Sequence, residues 1–465
     1  MSAPIVRRGI APGADAMHVP VVIIGAGACG LTAALRLASA GIDTVLIERD
    51  AVPSGSTALS SGFIPAAGSA VQRAAGIEDD AARFAADIQA KAHGTASPKL
   101  VAAYTGAAAA AMDALAAHGL RFEVLDGFLY PGHTARRMHT LPERTGAALV
   151  AALERAATEA GAYLLTRALA REIWTDNDGR VTAVGCERPD GSVDVIGCDV
   201  LLLACNGFGG NAAMVGEYLP AMRDAVYGGH VGNDGSAIQW GTQLGARLAD
   251  LGGYQGHGSW ATPQGALISW AVMMDGGVQI NCEGRRFHDE THGYSEAAVH
   301  VLAQPGSVAW NVFDDRTLAL ARGFPDFVQA EEGQALKTCA DLAALAALIG
   351  CDPDVLGQTL DAVRPGAPDP LGRRFERSLQ APYHAVKVTG ALFHTQGGLD
   401  IDAQCRVLDN AGRALPNLLA AGGAARGVSG NDVSGYLSGN GLLSAVAGGH
   451  IAAATAAALL GRRLD

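Results

Sequence analysis

Gly25, Gly27 and Gly30 stand in the spacing G-x-G-x-x-G, and Glu48 follows the last of them by eighteen residues. Each glycine has a task that a side chain would obstruct. The first allows a tight turn, the second lets the backbone approach a pyrophosphate, and the third lets a helix pack on a strand. The anion then rests on the free N–H groups of the helix N-terminus. A carboxylate at position 48 accepts a hydrogen bond from a ribose 2′-hydroxyl and repels a 2′-phosphate. The chemistry is dinucleotide binding, provided that a strand enters the turn and a helix leaves it. A glycine-rich turn without a ligand is the competing explanation, and only the flanking elements separate the two.

Those elements are present. A β-branched run reaches Ile24 and ends abruptly in GAGACG, after which LTAALRLASAG places its apolar residues at helical spacing. DTVLIERD, after Gly41, reads as the next parallel strand and closes a βαβ unit of about 30 residues. Helical patterns cover 78–92, 98–118 and 145–160, and the strand-like LLTRALAREIWTD and RVTAVGCE flank an Asn-Asp-Gly turn. DVLLLACNGFGGN is a further buried strand running into glycines. From 252 to 394 the texture changes, with His, Trp, Met and Pro interspersed and helices expected near 337–349 and 353–363. NLLAAGGAARG and GYLSGNGLLSAVAGGHIAAATAAALL then resume the strand-turn-helix pattern. The fold class is α/β, with a domain inserted into the first one.

Composition narrows the function classes. A chain of 465 residues suggests two or three domains, and 49% hydrophobic against 17% charged residues excludes a disordered chain. With 34 Lys and Arg against 46 Asp and Glu, a net charge of −12 and no basic stretch, nucleic acid is not an expected partner. The eight cysteines lie far apart, without the close pairs of metal ribbons or dithiol redox sites, and no Cys-x-x-Cys-His occurs. No metal site is expected, and the thiols read as reduced in a cytoplasmic protein. Residues 1–16 read as a flexible arm whose Arg pair lacks the apolar run of an export signal. The apolar runs at 20–41 and 441–460 are dense in Gly and Ala and read as core helices, so no membrane span is expected.

The ordered strings VVIIGAGACGLTAAL, GSTALSSGFIPAAG, LLLACNGFGGN, GNDGSAIQWGTQLGA, INCEGRRFHDE, HTQGGLDID and NLLAAGGAARG resemble the fumarate reductase and 3-ketosteroid dehydrogenase flavoprotein superfamily across nearly the whole chain. The resemblance implies noncovalent FAD in a Rossmann-like, glutathione-reductase-type domain, split into 17–251 and 395–465. An α+β capping domain, 252–394, would close over the flavin. Ser56 and Thr57 would supply hydroxyls and amides beside the pyrophosphate and flavin. Gly441 and Leu442 would open a helix whose positive end favours the reduced flavin anion. Arg49, Ser61, Gly62, Ala168, Gly422 and Gly423 complete the implied cofactor contacts. Relatives often carry an acid for the ribityl chain where this sequence has Gly423. The fingerprint occurs once, so no NAD(P)H site is expected, and electrons pass to or from an external acceptor or donor.

Members of this superfamily add or remove hydrogen across a carbon–carbon bond beside a carbonyl. Fumarate reductases carry an acid Arg after an RF-x-N-E string and a carboxylate-clamping Arg in a C-terminal R-L-G-G-N string. Here the strings read RRFHDETHGYSE and GYLSGNG, and Tyr294 and Tyr436 fall at the two Arg positions. A guanidinium suits a carboxylate through paired charge-assisted bonds, whereas a phenol suits a neutral ketone oxygen. The resemblance to ketosteroid dehydrogenases implies Tyr294 as base, aided by His292 or Glu296, and Tyr436 with an amide near Asn440 as electrophile. His394 matches a substrate-binding His, and His257 falls where a second stands. Trp270 and Met273 occupy the proton-relay positions, and Trp260 and Trp270 are core residues or pocket lining. The expected function is α,β-desaturation of a cyclic or apolar ketone, or reduction of the enone. The alternatives are an enoate reductase acting on an unsaturated carboxylate and a flavin-binding protein without turnover.

Overall fold

The computed structural model describes residues 3–14, 17–126 and 129–464. The chain divides into two compact units, one of Met1–Leu219, Gly229–Tyr254 and His394–Asp465, the other of Pro220–Gly228 and Gln255–Phe393.

The first unit is built on a nine-stranded sheet. At its centre His18–Ile24 runs parallel to Val193–Leu203 on one side and to Thr44–Ile47 on the other, with Tyr163–Leu165 continuing in parallel beyond. Val21, Val22, Ile23 and Ile24 are all buried, so the strand reads as an unbroken apolar run because both of its faces are covered. Ala414–Ala420 pairs in parallel with the end of Val193–Leu203, so the late segment of the chain completes a sheet begun by the early one. Leu169–Thr175, Val181–Glu187 and the start of Val193–Leu203 form an antiparallel meander. Helices Ala28–Ser39, Pro98–Ala117, Gly146–Glu159 and Asn440–Leu459 pack into the same core. Pro98–Ala117 and Asn440–Leu459 are long and apolar enough to cross a membrane, yet Leu100, Tyr104, Leu115, Leu443, Val446 and Ala456 all belong to that core.

Two expectations are corrected here. Ile5–Arg8 is not part of a loose arm: it pairs in parallel with Leu169–Thr175, and Arg7 reaches Glu172 at 2.7 Å. The pairing satisfies backbone groups that an open sheet edge would leave bare. Met1, Ser2, Asp15 and Ala16 lie outside the described residues. Pro220–Gly228, read as part of the first region, belongs to the second unit because Val226–Tyr227 pairs with Ala391 and Leu392.

The second unit carries a seven-stranded sheet in which Tyr254–Ala261, Tyr383–Thr395, Val308–Asp314 and Val278–Ile280 are successive neighbours. Leu336–Cys339 pairs antiparallel with Tyr383–Thr395, and the helix expected from 337 begins only at Leu342. Asp341 decides the boundary by accepting a hydrogen bond from Ala344 N at 2.9 Å, as an N-cap does. Glu290, fully buried, is clamped by Arg286 at 2.6 Å, Arg373 at 2.9 Å and the amide of Gln279 at 3.0 Å. These guanidiniums hold its carboxyl well down, at about 2, against the upward push of burial.

Candidate active site

The glycine turn follows directly from the central strand of the first unit. Gly25 adopts φ +104, and a Cβ there would lie 2.6 Å from the carbonyl oxygen of Ala204, so only glycine fits. At Gly30 a Cβ would lie 1.9 Å from the carbonyl oxygen of Gly25, which sets how closely the helix sits on its strand. Gly27 is the N-cap of helix Ala28–Ser39 and offers no side-chain cap of its own. Thr57 Oγ1 instead accepts from Ala28 N at 3.1 Å, bringing the Gly55–Ala58 helix to this N-terminus.

Glu48 is buried at the end of Thr44–Ile47, where Oε2 accepts from Ala26 N at 3.0 Å and Oε1 from Asp50 N at 2.9 Å. Burial raises its pKa while the two amides oppose that rise. The carboxylate is thus anchored to the turn and keeps acceptor capacity for hydroxyls. Ala168 N donates to the carbonyl of Glu48 at 2.9 Å, which ties position 168 to the same corner. Arg49 donates to Gly232 O at 2.9 Å, and Ser56 Oγ accepts from Asn233 Nδ2 at 2.8 Å. Sequence reasoning did not assign this 230–235 loop, which reaches the turn from nearly two hundred residues away. Gly62 N donates to Ser60 Oγ at 3.1 Å, and Ser61 stands between them in chain order, partly buried.

Gly422 and Gly423 open a short 3-10 turn after Ala414–Ala420. A Cβ at Gly422 would lie 3.2 Å from Cys29 Cβ, within reach of the glycine turn's helix. At Gly423 a Cβ would lie 2.0 Å from Asn206 Oδ1. Asn206 holds φ +65, its Oδ1 accepts from Gly207 N at 2.8 Å, and its Nδ2 has no hydrogen-bond partner among the described residues. The space in which an acid at 423 would begin is therefore filled by this carboxamide. The doublet Cys205–Asn206 carries no local signal for it.

Helix Asn440–Leu459 starts behind Gly439, with Gly441 and Leu442 in its first turn and no side-chain cap. Here a Cβ at Gly441 would lie 2.7 Å from His394 Nε2, so the imidazole rests against the positive end of the helix. Tyr436, buried, packs edge-on to His394 with ring centroids 5.6 Å apart. Burial pushes His394 down to about 4, so it is neutral near pH 7.

The second unit holds the other two predicted residues. His257 lies on Tyr254–Ala261, and Tyr294 is the first residue of helix Tyr294–Leu302. Their rings are nearly parallel, and Trp270 and Phe393 stand 5.8 and 5.7 Å from His257. His257 Nδ1 accepts from Ser259 N at 3.1 Å, so the proton of the neutral ring is on Nε2, and burial lowers its pKa to about 3. His292, considered as a helper of Tyr294, is largely exposed and sits 3.8 Å from Asp289, and it is His257 that lies against the phenol. Trp270 is buried with Nε1 on the carbonyl of Glu290 at 3.0 Å.

A family model for the FAD binding domain matches residues 20–442. The chain belongs to that family. This flavoprotein is 27% identical to a probable fumarate reductase of Shewanella frigidimarina (strain NCIMB 400), over 97% of its own length and 77% of that protein's. It also resembles the open conformation of a flavocytochrome c3 fumarate reductase, with TM-score 0.79, 25% identity and coverage of 95% and 78% of the two chains. In fold it resembles 3-ketosteroid-delta4-(5alpha)-dehydrogenase from Rhodococcus jostii RHA1, with TM-score 0.73, 22% identity and coverage of 95% and 97%. The flavoprotein has the mixed α/β fold of this superfamily, binds FAD, and is an oxidoreductase acting on CH–CH groups. The corner built by Gly25, Gly27 and Glu48 fits the cofactor, since it joins a helix N-terminus whose N-cap is a glycine to a buried acceptor pair.

Proposed function

We propose that the flavoprotein desaturates a ketone at its α,β-carbons, or saturates the corresponding enone, on a cyclic or otherwise apolar substrate. The first unit is then a Rossmann-like FAD-binding domain and the second an inserted capping domain. Gly25, Gly27, Glu48, Ser56, Thr57 and the first turn of helix Asn440–Leu459 hold the cofactor, and Asn206 offers its Nδ2 where relatives use an acid. FAD, when bound, supplies hydride exchange at the β-carbon. Tyr294 takes the α-proton as general base, and Tyr436 donates its hydroxyl to the carbonyl oxygen, joined by the helix amides near Asn440. His394 and His257 present neutral N–H edges.

The observation that carries this reading is the pairing of Tyr436 with a neutral His394, a phenol and an uncharged imidazole where a cation would suit a carboxylate better. Arg286 and Arg373 are engaged by Glu290, and Arg426 by Asp250 and Asp400. The test is anaerobic flavin absorbance: cyclic ketones should bleach the oxidised enzyme, or enones re-oxidise the reduced one, while succinate-like acids leave the spectrum unchanged.

An enoate reductase is the second reading, favoured by the match to the probable fumarate reductase over nearly the whole chain. It requires His257 and His394 to serve as donors to a carboxylate. Rapid re-oxidation by an unsaturated acid, with no response to enones, would establish it in place of the first.

A further inference from the structure

His394 has an extended set of partners behind it, all within the first unit. Gln396 Nε2 lies 3.0 Å from His394 Nδ1. The other end of the same carboxamide, Oε1, accepts from the hydroxyl of Ser429 at 2.9 Å, and Ser429 Oγ in turn accepts from Asn440 Nδ2 at 3.0 Å. Gln396, Ser429 and Asn440 are all buried. The backbone of Gln396 is pinned on both sides, its N–H on Gly253 O at 2.8 Å and its carbonyl under Gly427 N at 2.7 Å. These four side chains come from three separate segments of the chain, and the last, Asn440, begins the helix against which His394 rests.

The order of donors along this row has a chemical consequence. Because Asn440 donates to Ser429, the serine turns its own proton onto Gln396 Oε1, which aims the amide N–H at the imidazole. A nitrogen that accepts a hydrogen bond carries no proton, and in a neutral imidazole the proton is then on the other nitrogen. Among the described residues Nδ1 also meets Thr395 O, at 3.4 Å against 3.0 Å for Gln396 Nε2, beyond ordinary hydrogen-bond length. Nε2, which with Cε1 lies nearest to Gly441 in the first turn of the helix, is left as the donor of the ring.

We propose that Gln396, oriented by Ser429 and Asn440, is a positioning residue that fixes His394 as the Nε2–H tautomer, making it a hydrogen-bond donor to an uncharged substrate oxygen and never a base. The donor role rests on the ketone reading above; the tautomer does not. His257, in the second unit, reaches the same state by a backbone amide.

The test uses the FAD-loaded enzyme labelled with 15N-histidine, with the His394 signals assigned by their loss in His394→Gln. Long-range 15N–1H spectra of the wild type should show a protonated Nε2 and a bare Nδ1. Gln396→Leu, which removes the donor, should move His394 toward Nδ1–H, and Ser429→Ala should do so in part, with flavin absorbance unchanged. Turnover of a responding ketone or enone should fall ~10²–10³-fold in Gln396→Leu, as loss of one aimed donor does, with a smaller change in KM. A protonated Nδ1 in the wild type, or an unchanged tautomer in both variants, overturns the proposal. An inverted tautomer with undiminished turnover overturns the donor role. If wild-type flavin responds to no ketone or enone, the functional reading fails, while the tautomer is still decided by the spectra.

Discussion

The imidazole of His257 lies face to face with the phenol of Tyr294, ring centroids 4.8 Å apart and planes inclined by 20°. Tyr294 stands at the N-terminal residue of its helix, and the His257 ring is held by Ser259 N at 3.1 Å.

Tyr294→Phe keeps that stack and removes only the hydroxyl. If Tyr294 is the base, exchange of the substrate α-proton with deuterated water should stop along with flavin reduction. Tyr436→Phe should instead slow both steps by ~10²–10³ without abolishing either, since one polarising donor is lost. Near wild-type rates in both variants, with an unsaturated acid turned over only while His394 is intact, would transfer the enzyme to the enoate class.

Asn206 and Gly423 compete for one space, and a double-mutant cycle can read the competition. Gly423→Glu alone should lower FAD occupancy because its Cβ meets Asn206 Oδ1. Asn206→Gly alone should also weaken FAD, and the double variant should recover binding better than either. Strictly additive losses in fluorescence titrations of FAD would show that the two positions do not exchange roles.

Glu290→Gln leaves Arg373 buried beside a neutral partner, while Arg286 keeps Asp369 at 2.9 Å. Breaking a buried pair in this way costs about 3–5 kcal/mol, so the midpoint of urea unfolding should fall. A midpoint within error of the wild type would mean that the network relaxes by admitting water.

The buried histidines predict an acid-sensitive fold. His257 titrates at about 3 and His394 at about 4 in the folded chain, against 6.5 when unfolded. The unfolded state therefore binds more protons between these values, and stability present above pH 6.5 is lost as pH falls toward 4. Thermal melting should show that slope, and His257→Gln should flatten it. An identical slope in the variant would assign the effect to other groups.

The glycine turn and Glu48 were legible because their signals are local: a strand, three spaced glycines, a helix and a second strand follow one another without interruption. The Ile5–Arg8 strand left no such trace, since its partner lies about 165 residues away and four residues show no period. The same is true of Val226–Tyr227, whose membership in the second unit rests on pairing with Ala391 and Leu392. Asn206 and Asn233 were missed for a related reason. A lone Asn is common in turns, and only the folded chain shows that one fills the space beside Gly423 and the other meets Ser56.

The pairing of Ala414–Ala420 with Val193–Leu203, and of helix Asn440–Leu459 with Ala28–Ser39, also sets an order of events during synthesis. The N-terminal strand and glycine turn leave the ribosome hundreds of residues before the helix that covers Cys29 and carries Gly441. Until then an apolar helix face and a sheet position stay open, a condition that invites misassembly. Nascent chains halted short of residue 440 should therefore be captured by chaperones and lack flavin, and coenzyme uptake should be a late step.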